Sequence, residues 1–186
     1  MGKSTSGLLL KKRGVHVVDT DIVARDLVEQ GMPALGEIRK EFGEDLLDSQ
    51  GRLQRGKLAS IVFADPDSRR RLENILHPLI RAEWQRRVQT WRDSGQAVSA
   101  VIIPLLFETV ASEYFDKIIC VVCGAPTQRA RLAERNWSDK EITQRIAAQM
   151  PVADKITRAD YVVWTDTTVT IHQRQLEVIL AHLASR

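Results

Sequence analysis

The sequence predicts an α/β fold in which helices cover both faces of a parallel β-sheet. Four short, β-branched apolar runs, at residues 15–19, 98–104, 117–123 and 159–165, have the length of strands and lack a polar face. Helical patterns separate the runs, and this alternation is typical of parallel sheets. The chain of 186 residues suits a single domain over residues 1–186 that buries its core without disulfides or structural metal.

Punctuating residues mark the first helices. A helix is predicted over residues 2–13, where three basic residues precede Gly14, because cations and a left-handed glycine favour helix ends. Asp65 with the proline after it predicts the cap and first position of a second helix. We expect Pro78 to interrupt this helix, and a further helical segment to continue to Gly95.

The last helices carry similar signals. Ser138 with Glu141 is a capping-box pattern for a helix that ends near Gln149. The final helix covers about residues 170–185. Its apolar positions, all expected to be buried, are Ile171, Leu176, Ile179, Leu180 and Leu183.

Composition limits the class of protein. A net charge of +3 and a pI of about 9.0 fit an anionic small molecule as well as nucleic acid. The arginine runs at 69–71 and 86–87 are interpreted as solvated helix surface, not as a nucleic-acid site. The sequence contains neither an apolar run of about 18 residues nor a signal-peptide pattern, so we expect no membrane segment. Cys120 and Cys123 lie in one apolar run and are interpreted as buried side chains, which favours the cytoplasm.

The first five residues carry the strongest chemical signal. Gly2-Lys3-Ser4 matches the end of the phosphate-loop pattern G-x-x-x-x-G-K-[ST], and a helix follows it as the pattern requires. Backbone amides at a helix start, a lysine and a hydroxyl suit phosphate and Mg²⁺. The usual strand and first glycine of the pattern do not precede it. Either the start was assigned to an internal methionine or the chain begins at Met1; both interpretations stay open.

Five further segments, in order, resemble the dephospho-CoA kinase family of P-loop kinases. They are VVDTDIVAR (17–25), FADPDSRRRLENILHPLIR (63–81), VIIPLLFE (101–108), RLAERN with RIAAQMP (131–151) and RADYVVWTD (158–166). The resemblance runs from residue 2 to about residue 183. It implies a P-loop NTPase-type parallel sheet of about five strands when complete, with the first strand missing here. It also implies a helical substrate-binding region across about 65–95 and a lid across about 127–155.

The resemblance implies a reaction in which ATP phosphorylates the 3′-hydroxyl of dephospho-CoA to give coenzyme A. Gly2, Lys3, Ser4 and Thr5 would bind ATP, with Lys3 on the phosphates and Ser4 on Mg²⁺. Asp21 would be the catalytic base. Asp19 is a weaker candidate, and capping of a helix by either aspartate is the structural alternative.

The resemblance also suggests substrate contacts. Arg25, His77, Arg81 and Glu108 would bind dephospho-CoA, with Glu108 expected to be exposed at the end of its strand. The alternatives are structural: His77 could cap a helix that begins at Pro78, and the leucines and Phe107 of the turn before Glu108 could belong to the core.

Lid arginines are the remaining catalytic candidates. Arg135 would stabilise the transferred phosphoryl group, with Arg129, Arg131 or Arg145 as alternatives. The segment 164–167 departs from the family's D-N-x-G turn, which puts its adenine contacts in doubt.

Two other functions stay open at this point. The first is another small-molecule or nucleotide P-loop kinase. The second is a catalytically impaired protein that binds CoA-type ligands, because the phosphate loop is truncated. Neither a nucleic-acid partner nor a membrane is expected.

Overall fold

The computed structural model describes residues 1–134 and 138–185, and the chain forms two compact units. The first unit comprises residues 1–17 together with the chain from Ala97 onward. The second unit comprises Val18–Gln96. The α-helices of the described residues, in chain order, are α1 (Lys3–Lys12), α2 (Thr20–Asp26), α3 (Pro33–Phe42), α4 (Arg55–Ala64), α5 (Pro66–Asp93), α6 (Ala125–Ala133), α7 (Asp139–Ala147), α8 (Val152–Thr157) and α9 (Val169–Ala184).

Each of the four apolar runs contains one strand, as predicted. The strands are β1 (His16–Asp19), β2 (Ser99–Ile102), β3 (Ile119–Val122) and β4 (Tyr161–Trp164). β3 and β4 are parallel, with Ile119 opposite Tyr161 and Val122 opposite Trp164. β1 and β2 are neighbours in a second two-stranded sheet. The alternation of strands and helices therefore confirms the predicted α/β class.

The core of the first unit lies where α1 and α9 cover the strands. Leu9 and Leu10 of α1 are buried in one cluster with Val163 of β4 and with Leu176 and Ile179 of α9. The predicted burial of the last two is confirmed. Ile171 was expected to be buried as well, but that prediction is wrong, because 45% of it is exposed in the first turn of α9.

Gly7 brings α1 close to β2. A Cβ atom added at Gly7 would lie 2.5 Å from the Cδ1 atom of Ile102, so a larger residue at this position would require Ile102 to move. The absence of a side chain thus sets the distance between helix and strand.

The second unit is helical, and α5 is its longest element. The predicted interruption at Pro78 is wrong, because α5 runs without a break through that residue. Apolar residues on both sides of Pro78 pack against the same buried cluster: Leu72, Ile75, Leu76 and Leu79. Burial of this continuous face offsets the hydrogen bond that a proline removes. The predicted cap at Asp65 is confirmed, since its carboxylate accepts from the amides of Asp67 and Ser68.

The end of β4 is closed by a side chain of α9. The amide of Gln175 accepts a hydrogen bond from the Trp164 N–H at 2.9 Å and donates one to the Trp164 carbonyl at 2.8 Å. Cys123 is buried as predicted, whereas Cys120 is only partly buried, and both are free thiols. Among the described helices, none combines the length and the apolar character needed to cross a bilayer.

Candidate active site

The residues of the phosphate-loop motif lie at the start of α1. Gly2 precedes the helix with a left-handed φ of 84°, and its carbonyl accepts the first helical hydrogen bond from Ser6 at 2.9 Å. Lys3, Ser4 and Thr5 form the first turn, which contains no acidic residue. The amides of a first turn point away from the helix and favour anions. The Ser4 side chain is exposed at this end.

Thr165 supports the residues that precede α1. Its hydroxyl lies 3.0 Å from the Val122 carbonyl and 3.4 Å from the Met1 carbonyl. The Arg131 guanidinium donates to the Thr165 hydroxyl at 2.9 Å and to its carbonyl at 2.6 Å. Arg131, which the sequence offered as an alternative lid arginine, therefore binds Thr165, the residue that contacts the chain before α1. The only sequence signal for this contact was the departure from the family pattern at Thr165.

His172 of α9 holds the second turn of α1. Its Nε2 atom lies 2.8 Å from the Ser6 hydroxyl, and both residues are buried. Burial, and then the charge of Arg131, lower the pKa of His172 below its ordinary value. The imidazole is therefore neutral near pH 7, and one of its nitrogens can accept from Ser6.

The segment that departs from the family pattern forms its own contacts. Both carboxylate oxygens of Asp166 accept from the Gly124 amide, at 2.9 and 3.0 Å. A hydrogen bond from the Thr127 hydroxyl and the one from Gly124 hold the pKa of Asp166 below its ordinary value. Trp164 is 48% exposed. Asp166 thus ties the end of β4 to the start of α6.

Glu108 differs from its prediction, because it is not an exposed carboxylate. Its side chain is 20% exposed and forms an ion pair with the Lys155 ammonium at 2.8 Å. Its Oε1 atom also accepts from the Met150 amide at 2.9 Å. Burial raises the pKa of Glu108, but the hydrogen bonds from Lys155 and Met150 together outweigh this effect, so the net pKa lies below its ordinary value. No sequence signal marks Lys155 as the partner of Glu108, since an isolated lysine in a helical segment is typical of the surface.

The lid arginines do not share one role. The Arg129 guanidinium reaches the Thr143 hydroxyl of α7 at 3.5 Å, and Arg145 lies in the last turn of α7. Arg135, the preferred catalytic candidate, lies outside the described residues. The predicted capping box at the start of α7 is confirmed, because Ser138 and Glu141 hydrogen-bond each other's backbone amides.

In the second unit, Asp19 caps α2, which is the structural role that the sequence offered as an alternative to catalysis. Its Oδ1 atom accepts from the Asp21 amide at 2.9 Å. The Asp21 side chain is exposed in the first turn, and Arg25 is exposed in the last. The Arg25 carbonyl accepts from Arg55 at 3.1 Å, which fixes the end of α2.

His77 and Arg81 lie in the middle of α5 rather than at a helix start. The helix continues through Pro78, so His77 is not a capping residue. A spacing of four residues places both side chains on one face of the helix. His77 is exposed and Arg81 is partly buried. Lys3 belongs to the first unit and Asp21 to the second; that they face each other across one cleft stays a prediction.

Comparison with known proteins gives one consistent result. The family model described as dephospho-CoA kinase matches residues 1–170. The dephospho-CoA kinase of Bacillus cereus is 39% identical over 180 residues, which are 96% of this chain and 90% of that protein. The enzyme of Bdellovibrio bacteriovorus is 39% identical over 182 residues, or 98% and 90% of the two chains.

Solved structures agree with the family match. A Thermus thermophilus protein of known crystal structure superposes with a TM-score of 0.81 at 30% identity, covering 98% of this chain and 92% of that one. Dephospho-CoA kinase from Campylobacter jejuni superposes with a TM-score of 0.73 at 26% identity, covering 99% and 92%. With relatives this similar over nearly its whole length, the chain belongs to the dephospho-CoA kinase family.

Proposed function

We propose that this chain transfers the γ-phosphoryl group of ATP to the 3′-hydroxyl of dephospho-CoA, the last step of coenzyme A synthesis, through the residues named from its sequence. The observation that carries the assignment of residues is the start of α1. A left-handed Gly2 precedes a first turn that contains a lysine, a hydroxyl and no acidic residue, so anionic phosphates are favoured there. Lys3 would bind the β- and γ-phosphates of ATP, with Gly2 and Thr5 completing the nucleotide site.

The Ser4 hydroxyl is exposed at this turn and is a hard oxygen donor of the kind that Mg²⁺ prefers, so the residue fits that ion. Bound there, Mg²⁺ would neutralise charge on the phosphates. Arg135 would stabilise charge on the transferred group from the lid, across about 127–155.

Asp21 would accept the proton of the attacking hydroxyl. Its side chain is exposed in the first turn of α2, and it matches the second aspartate of the family's pair, to which the resemblance assigns this role. Phosphoryl transfer depends mainly on such positioning and on electrostatic stabilisation.

Arg25, His77, Arg81 and Glu108 would contact dephospho-CoA, with the helical region across about 65–95 as its binding surface. We also propose that residues 1–186 work as a single domain and that the reaction takes place in the cytoplasm. The two free cysteines support that compartment, because free thiols are typical of a reducing environment.

The test compares Asp21→Asn with Asp26→Asn, which removes a carboxylate from the other end of the same helix. We expect Asp21→Asn to lower kcat by about 100-fold or more, the usual contribution of a general base, whereas Asp26→Asn keeps the wild-type rate. ADP release is measured with dephospho-CoA and with AMP as acceptors. Equal loss in both variants, or a preference for AMP, would contradict the proposal.

A further inference from the structure

The turn after β2 is joined to the chain around α8 by one carboxylate. Glu108 Oε1 accepts both from the Met150 amide, at 2.9 Å, and from the Lys155 ammonium, at 2.8 Å. Only 9% of the Lys155 side chain is exposed, which is unusual for a lysine. In some proteins a buried ion pair of this kind fixes a geometry that an apolar pair would not fix.

The second oxygen of this carboxylate differs from the first in its hydrogen bonding. Glu108 Oε2 is buried, and among the residues that the structure describes it has no hydrogen-bond partner. The net effect of burial and of the hydrogen bonds from Lys155 and Met150 is a pKa below the ordinary value, so the group is ionised near pH 7. An ionised carboxylate only accepts hydrogen bonds. An unmet buried acceptor is unfavourable, so Oε2 is suited to a donor supplied by a ligand.

The surroundings of Lys155 connect it with the phosphate-binding end of α1. Burial raises the pKa of the Cys120 thiol, and the charges of Lys155 and Lys3 both act to lower it. The two ammonium groups are therefore within electrostatic range of the same thiol on β3. Lys155, Cys120 and Lys3 all belong to the first unit.

We propose that Lys155 is a positioning residue, which binds Oε1 of Glu108 so that Oε2 accepts a hydrogen bond from a hydroxyl or amino group of dephospho-CoA. The inference rests on the proposed contact between Glu108 and this substrate, and it adds the residue that orients the contact. A ribose hydroxyl and the adenine amino group are the donors of this class in the nucleotide part of the substrate.

Glu108→Gln tests the acceptor. Lys155 and the Met150 amide both donate, so they select the amide oxygen of the glutamine and leave its NH₂ group at the position of Oε2. The substitution thus replaces an acceptor by a donor of the same size. We expect the Kd of dephospho-CoA to rise about 10-fold, as for loss of a charge-assisted hydrogen bond, and the Kd of ATP to stay unchanged. Both are measured by isothermal titration calorimetry.

Lys155→Met and Lys155→Arg test the positioning role. We expect Lys155→Met to weaken dephospho-CoA to a similar extent, and Lys155→Arg to restore most of the affinity because it keeps the cation. Lys155→Met should cause little further loss when Glu108 is already Gln, since the two residues act as a unit. Lys117→Met is the matched control: it breaks another ion pair of the same unit, Lys117 with Asp160 at 2.7 Å.

The results separate three claims: the proposed function, the substrate contact of Glu108 and the positioning role of Lys155. If the unmodified protein does not phosphorylate dephospho-CoA, the proposed function fails. If it does but Glu108→Gln keeps its affinity for dephospho-CoA, the substrate contact of Glu108 is wrong and the pair is structural. If Glu108→Gln weakens binding while Lys155→Met behaves like Lys117→Met, the positioning role of Lys155 is wrong. Circular dichroism monitors folding, and Lys155→Arg gives the answer should Lys155→Met not fold: unchanged affinity supports the role, and a full loss contradicts it.

Discussion

Replacing Gly2 by alanine tests whether the left-handed start of α1 and its contact with Thr165 shape the phosphate site. At Gly2 the φ of 84° would cost an alanine about 1–2 kcal/mol. The added Cβ would also lie 3.0 Å from Thr165 Cγ2 and 3.2 Å from both Cβ and Oγ1 of that residue. Crowding of a packed site typically costs about 1–3 kcal/mol. We expect a total destabilisation of about 2–3 kcal/mol, taking the lower part of that range because one side chain can yield.

Gly14→Ala is the matched control for this substitution. Gly14 has a φ of 80°, and its added Cβ would meet nothing within 4 Å, so it measures the backbone cost alone. Urea denaturation should therefore show a smaller loss for Gly14→Ala, of about 1–2 kcal/mol. Titration with ATP should show weaker binding, by about 10-fold or more, for Gly2→Ala alone, because a shift of the loop misplaces its amides. Equal stability losses with unchanged ATP affinity in both variants would refute the reasoning.

Three further predictions concern the pKa of Glu83, the cap of α7 and the Cys120 thiol. Hydrogen bonds from Arg86 and Arg87 lower the pKa of Glu83 from 4.5 to about 2. Glu83 therefore contributes about 1 kcal/mol to the free energy of unfolding, as for a pair near the surface. This contribution is present above pH 4.5 and is lost as the pH falls toward 2. Glu83→Gln should flatten acid denaturation curves over this interval. Ser138→Ala should cost about 1 kcal/mol in urea denaturation, because it removes the cap, and Ser138→Asp should restore the loss. Cys120 should react slowly with a thiol reagent at pH 7, since its pKa is raised, and a rate equal to that of free cysteine would contradict this.

The strands and the helix caps could be predicted because their signals are local. Short apolar β-branched runs between helical patterns favour strands, and Asp65 and Ser138 bind amides only two or three residues away. That the residues of the phosphate-loop motif stand at the start of a helix was predictable for the same reason, since the glycine, lysine and hydroxyl are consecutive.

The errors concern residues whose state depends on distant partners. Pro78 stays inside α5 because the helix packs an apolar face on both sides of it, and that cluster includes residues from other helices. Glu108 is partly buried beside Lys155, which lies 47 residues later in the chain and supplies the opposite charge. No pattern within the turn at Glu108 contains this information. The contact between Arg131, an alternative lid candidate, and Thr165 could not be predicted either, because the two residues lie 34 positions apart in the chain.

Gln175 has a consequence for the main-chain groups at the end of β4. A β-strand that ends with an unbonded N–H and C=O offers a template on which another polypeptide can add itself. By bonding both backbone groups of Trp164, the glutamine amide imitates one rung of a neighbouring strand and ends the ladder there. The Trp164 side chain stays exposed to water. The N–H and C=O of Trp164, however, are already hydrogen-bonded and cannot pair with another strand.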